Sequence, residues 1–159
     1  MGVYSDRSRK RLATCCDELQ LVMYSIIARH DHTILRGASD KLEQNQLFTQ
    51  GRSKLQYPQS KHCIGPEAGR DRSDAVDAAP WIKGVGIPWP PALPADGVIT
   101  TAFLMNYSKR LGQFYVFAGY VLEAAYRLNV QLRWGGDWDR DDNLMDQRFD
   151  DLVHFEVVR

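Results

Sequence analysis

Two stretches of the chain carry residue types that can hold a metal ion and act on water. Ser60-Lys61-His62 leads toward an extended segment centred on Asp77, and Asp151-Leu152-Val153-His154 leads into the C-terminal segment. Two histidines and a carboxylate are protein ligands of the kind zinc prefers. With only these bound, a fourth position is left for water, the mark of a catalytic rather than a structural site. Zinc brings the pKa of such a water to about 7, so that hydroxide forms at neutral pH. A carboxylate such as Asp151, three residues before a ligand, can sit beside that water, take its proton and pass it to a leaving amine. Spacing alone leaves a plainer alternative open, with His62 a loop residue and Asp151 one of several solvated acids between Asp139 and Asp151.

Those residues need elements to position them. Ser5 followed by Asp6 looks like a helix start, and Leu12, Cys15, Cys16, Leu19, Val22, Met23 and Ile26 recur at helical spacing, which predicts one long helix to about Arg29. Thr33–Arg36 reads as a short strand. Asp40 caps a second helix through Leu42, Leu47 and Phe48, ending at Gly51. From Arg52 to about Asp74 the chain is polar and aperiodic, which predicts a surface loop. Ala75–Ala79 reads as a strand closed by Pro80 and Trp81, and the four prolines between Gly84 and Asp96 exclude regular structure there. A third helix, from about Asn106 to Leu128, carries Leu111, Phe114, Ala118, Val121 and Ala125 on one face. Gln131–Trp134 is a strand, Gly135-Gly136-Asp137 a turn, and His154–Val158 a last strand that places His154 and Glu156 on one face. Helices and strands alternate irregularly, without a repeat. The expectation is an α+β fold, one domain over residues 1–159, with a small antiparallel sheet flanked by helices.

Composition narrows the function classes. Lys plus Arg equals Asp plus Glu at 20 each, a balance that argues against nucleic-acid binding through a broad basic surface. The basic N-terminus is not followed by an apolar run, so no export signal is expected and the chain is placed in a cytoplasm. No segment is long and apolar enough to predict a membrane span. Cys15, Cys16 and Cys63 form no disulfide or CxxC pattern and read as reduced thiols, and His30 and His32 read as a polar connector.

An ordered set of short motifs resembles the zinc peptidases that include D-alanyl-D-alanine carboxypeptidases and L-alanyl-D-glutamate endopeptidases, with the phage endolysin branch most similar. The stretches are Gln44 with Leu47-Phe48-Thr49-Gln50-Gly51-Arg52-Ser53, then Ser60-Lys61-His62, Ala75-Val76-Asp77-Ala78-Ala79-Pro80, Trp134-Gly135-Gly136-Asp137-Trp138, and Asp151-Leu152-Val153-His154-Phe155-Glu156. The resemblance implies a Hedgehog/DD-peptidase-like fold. It makes His62, Asp77 and His154 the ligands of Zn2+ and Asp151 the catalytic base. Glu156 is then expected to orient a ligand histidine through its other ring nitrogen. Arg36, Arg52, Ser60 and Trp134 are candidates to contact substrate, with Ser60 alternatively shaping its turn.

Two departures stand out. The family often has its first histidine and aspartate in an H-x-x-G-x-A-x-D arrangement, whereas here Cys63 to Val76 separate them, which predicts an enlarged loop whose Glu67, Arg70, Asp71 and Arg72 overhang the cleft. Relatives resemble G-x-R where this chain has Gly37-Ala38-Ser39, and Arg36 or Arg52 is expected to take the place of that arginine. The implied activity is peptidoglycan hydrolysis by a monomer at an amide of the stem peptide, with L-alanyl–D-glutamate favoured. It would act from the bacterial host cytoplasm once another protein has permeabilised the membrane. A D-alanyl-D-alanine carboxypeptidase or dipeptidase, and a non-catalytic zinc-containing wall-binding domain, are the competing readings.

Overall fold

Four extended segments pair into a sheet in the computed structural model, which describes residues 2–159. The strands are β1 (His32–Arg36), β2 (Ala75–Pro80), β3 (Leu132–Gly135) and β4 (Asp151–Val157), in the order β1-β2-β4-β3 with every neighbour antiparallel. The helices are α1 (Asp6–Leu12), α2 (Asp17–Ile26), α3 (Lys41–Thr49) and α4 (Thr101–Arg127), with a short 3-10 turn at Pro66–Ala68. The α+β expectation holds. No helix among the described residues is long and apolar enough to cross a membrane.

The two faces of the sheet have different tasks because side chains alternate along each strand. Ile34, Val76, Ala78, Leu132, Trp134, Phe155 and Val157 turn to one face. There they form the core with Leu19, Val22 and Met23 of α2 and Phe117, Ala118 and Val121 of α4. Truncating a fully buried leucine such as Leu19 in a core of this kind costs about 2–5 kcal/mol. Asp77, His154, Glu156 and Arg133 lie on the opposite face, which opens to solvent as a cleft.

The predicted first helix is broken in two. Its apolar period runs through Cys15 and Cys16, but the backbone there bonds elsewhere: Cys16 N–H donates to Ser73 O at 2.8 Å, and Ser73 N–H donates to Thr14 O at 2.9 Å. Periodicity records which face is buried and not whether the backbone stays helical, so this tertiary bridge left no mark on the pattern. Helix α4 begins five residues before the predicted Asn106, at Thr101, because the Thr100 hydroxyl accepts Phe103 N–H at 3.1 Å and caps it. The Asp40 cap is present as expected, accepting Glu43 N–H at 2.8 Å.

Candidate metal centre

The β2–β4 register sets Asp77 directly opposite His154, so the two side chains rise from the same face. His62 arrives from outside the sheet on a tight turn. Ser60 Oγ accepts His62 N–H at 3.2 Å, and Ser60 O accepts Cys63 N–H at 3.0 Å. The turn is tied to the segment after β1, since His62 O accepts Ser39 N–H at 2.8 Å. Gly37 in that segment can only be glycine, because a Cβ there would lie 2.2 Å from both Arg11 O and Thr14 Oγ1. Its carbonyl is thereby aimed at His62 Nδ1, 2.7 Å away.

Three donor atoms converge. His62 Nε2 and Asp77 Oδ1 are 3.1 Å apart, His154 Nδ1 and Asp77 Oδ1 3.1 Å, and His62 Nε2 and His154 Nδ1 3.2 Å. Tetrahedral zinc with bonds of ~2.0–2.1 Å places its ligand atoms about 3.3 Å apart, so the triangle fits. The far nitrogens fix the tautomers. His62 Nδ1–H donates to Gly37 O, and His154 Nε2–H donates to Glu156 Oε2 at 2.9 Å. Both inner nitrogens then present lone pairs to the same point as the Asp77 carboxylate, and three acceptors so placed repel one another unless a proton or cation lies between them. Asp137, Asp139 and Asp141 form a second acidic group, but Asp139 and Asp141 are exposed, and Asp137 accepts the backbone N–H groups of Arg140 and Asp142.

The charges around the triangle are strongly coupled. Burial opposes ionisation of Asp77, yet the two imidazoles outweigh it and hold the carboxyl far below the usual carboxylate range. Burial likewise opposes a charged His154, but bonds to Asp77 and Glu156 prevail and push its pKa up to about 9. Glu156 is buried too, and His154 and Arg133 pull it down to about 2. Asp151 moves the other way. Burial, and next the negative charge of Asp77, raise its pKa, a direction that favours proton uptake.

Asp151 and His154 both face the cleft only because β4 is irregular. In an unbroken strand, residues three apart point to opposite sides. Here Trp134 pairs with Phe155 but the next residue, Gly135, pairs with Asp151, so the register jumps between them. Glycine is required at 135, where a Cβ would meet Asp151 O at 2.4 Å.

The triangle lies in a cleft of about 810 Å3 that Arg36, Arg52, Ser60, Asp151 and Glu156 also line. Trp134 does not line it. Its ring is buried in the core, with Nε1 donating to Leu152 O at 3.0 Å and an edge-to-face contact to Tyr115 at 5.5 Å. Trp138 takes the cleft position instead, 5.6 Å from the His154 ring. The loop between His62 and Asp77 does not overhang the cleft either. Glu67 pairs with Lys41 at 2.8 Å, Arg70 with Asp74 at 3.5 Å, and Arg72 with Asp17. Its charges are spent on the flank that carries α2 and α3. Cys63 is buried behind the turn and stands outside the donor triangle. The expected loop from Asp139 onward supplies Gln147, Arg148 and Phe149 as one cleft wall, which its acidic composition did not disclose. Strand alternation could have found Arg133, which shares a face with Glu156 and bonds it through Nε at 3.0 Å.

The sequence profile of the phage L-alanyl-D-glutamate peptidases matches residues 2–158, nearly the whole chain. The protein belongs to that family. Among its relatives, the L-alanyl-D-glutamate peptidase of Escherichia phage T5 is 28% identical over 147 residues, spanning 91% of this chain and 87% of the phage T5 protein. The crystal structure of the L-Ala D-Glu endopeptidase ChiX of Serratia marcescens superposes with a TM-score of 0.60 at 17% identity, covering 98% of this chain and 89% of that one. That likeness is one of fold. This phage L-alanyl-D-glutamate peptidase family member is matched by its relatives over nearly its whole length.

Proposed function

We propose that the protein hydrolyses the L-alanyl–D-glutamate amide in the stem peptide of bacterial peptidoglycan, using a zinc ion held by His62 Nε2, Asp77 Oδ1 and His154 Nδ1. The convergence of those atoms to within 3.2 Å of one another, inside the cleft of a chain of this family, carries the reading. When bound, the ion supplies an acidified water and a Lewis acid for the carbonyl oxygen. Asp151, with its raised affinity for protons, would serve as general base, taking up a proton on its carboxylate and returning it to the departing amine of D-glutamate. Gly37 and Glu156 hold the two imidazoles in the ligating tautomer. Arg36 and Arg52 present positive charge to the substrate, with Arg36 serving the carbonyl oxygen as negative charge develops on it. Ser60 shapes the turn that carries His62, and its place in the cleft lets it contact the peptide as well. The protein works as a monomer, and it reaches the wall from the cytoplasm of an infected host after the membrane is permeabilised, the second part being in keeping with the phage origin of its relative.

Digestion of purified peptidoglycan, with and without a chelator, tests this. New amino-terminal D-glutamate that disappears on chelation is the expected product, alongside about one zinc per chain, the loading a three-ligand site implies. Released D-alanine would instead assign a carboxypeptidase. Absence of any cleavage by metal-loaded protein would leave only a binding domain.

A further inference from the structure

Two arginines stand on the cleft face of the sheet, and their surroundings differ. Arg133 is neutralised by Glu156. Arg36 makes no ion pair among the described residues and is held by neutral oxygen atoms alone. Its Nε and Nη2 donate to Ser39 Oγ at 2.9 and 2.6 Å, and Nη2 also donates to Gln44 Oε1 at 2.5 Å. Ser39 is 1% exposed and Gln44 is fully buried. Gln44 is itself fixed, because its Nε2 donates to Ser53 Oγ at 2.9 Å and to Leu55 O at 2.6 Å, which turns Oε1 toward the guanidinium. None of these bonds uses Nη1. Neutral acceptors orient a cation without cancelling its charge, so the field of Arg36 stays available to the cleft.

The backbone aims this residue at the metal site. Ile34 pairs with Ala78 and Arg36 with Asp77, so β1 carries one residue more than β2 over that interval, a β-bulge. Were β1 paired regularly beyond Ile34, Arg36 would fall opposite Val76 and point into the core. With the bulge, Arg36, Asp77 and His154 form a row across three strands on one face. Ser39 also bridges to the turn that carries His62: its N–H donates to His62 O at 2.8 Å, and its carbonyl accepts Ile64 N–H at 3.2 Å. One residue therefore grips both the arginine and the turn that bears a ligand histidine.

We propose that Ser39 is a positioning residue for the reaction, fixing the guanidinium of Arg36 relative to the donor triangle so that it meets the carbonyl oxygen of the scissile amide. This rests on the hydrolase reading above. The hydroxyl acts through Arg36, so its removal should cost turnover and leave substrate affinity and metal content largely intact.

The experiment compares wild type, Ser39→Ala, Arg36→Ala and the double variant on a soluble stem peptide, with zinc content measured for each. Ser39→Ala should lower kcat by about 10- to 100-fold, the scale of a misplaced catalytic group, with KM changed by less than about threefold and zinc retained. In the Arg36→Ala background the same substitution should add less than about twofold, since the hydroxyl then has nothing to position. Equal losses in both backgrounds would show a merely structural serine and overturn the inference, as would full activity of Ser39→Ala. A second measurement needs no turnover. The Arg36 Nε–H proton should exchange slowly with water in the wild type and rapidly in Ser39→Ala, as followed by NMR. Slow exchange in both proteins overturns the positioning role even if peptidoglycan proves not to be the substrate. An inert wild type with the expected exchange contrast would sink the hydrolase reading alone.

Discussion

Glu156→Gln separates two effects that Glu156 exerts on metal binding, and their signs are opposed. The carboxylate accepts His154 Nε2–H at 2.9 Å, which orients the ring and makes Nδ1 a better ligand. Loss of such a partner typically weakens metal affinity 10- to 100-fold, or about 1.4–2.7 kcal/mol. The same carboxylate also stabilises protonated His154. With the pKa of that histidine at about 9 in protein stripped of metal, zinc binding at pH 7 must displace a proton held about two pH units above the medium, a cost of about 3 kcal/mol. The substitution removes part of that competition, so at pH 7 the two effects offset each other. Above pH 9 the proton is gone and only the lost orientation remains. Zinc affinity measured by chelator competition should therefore rise about tenfold per pH unit in the wild type from pH 7 and level off near pH 9. The variant should show a shallower rise, a small deficit at pH 7 and a 10- to 100-fold deficit at about pH 9.5. A wild-type affinity that does not change with pH would refute the protonation, and a variant equal to wild type at the alkaline end would refute the orienting role.

Asp151→Asn should keep its zinc while turnover falls by about 10²–10⁴-fold, the usual range for a lost general base; full-speed cleavage would remove Asp151 from the mechanism. Metal-stripped protein should lose stability as pH rises. The folded pKa of His154 lies above its ordinary value, so its contribution is complete below about pH 6.5 and disappears as pH climbs through about 9, read as a falling Tm between those limits. At the acid end Asp77 acts in the opposite sense: its depressed pKa stabilises the fold above the ordinary carboxylate value, and that contribution is lost as pH falls below it. Gly135→Ala forces a Cβ against Asp151 O at 2.4 Å, and urea unfolding should show a loss of about 1–3 kcal/mol, the scale of an overpacked site. An unchanged midpoint would mean that the register jump in β4 relaxes freely.

What the sequence disclosed depended on how local each feature was. Alternation alone put His154 beside Glu156 on the last strand, and both stand on the cleft face. Asp40 and the glycine-rich turn after Trp134 were legible because capping and turn chemistry act over a few residues. His62 was different: residue type made it a candidate ligand, but a polar, aperiodic loop left a plain surface histidine open as well, and the ordered motifs decided between the two. Arg36 was a candidate whose orientation could not be read, since a bulge leaves no trace in the hydrophobic pattern and yet decides which face the side chain takes. Trp134 and Trp138 were indistinguishable as aromatics beside a turn. Their fates follow from strand parity, which sends Trp134 inward, while Trp138 lies beyond the end of β3.

The stretch from Ile64 to Asp74 leaves and rejoins the site through almost the same point in space. Lys61 O, one residue before the candidate ligand His62, accepts Asp74 N–H at 3.0 Å and the Ser73 hydroxyl at 3.3 Å. The chain is thus short-circuited at its neck, and whatever lies beyond the neck can lengthen or shrink while His62 and Asp77 keep their separation. The number of residues between these two candidate ligands is therefore a quantity that the neck leaves free. The same neck marks the place where foreign peptide could be spliced into the enzyme with the catalytic floor left undisturbed.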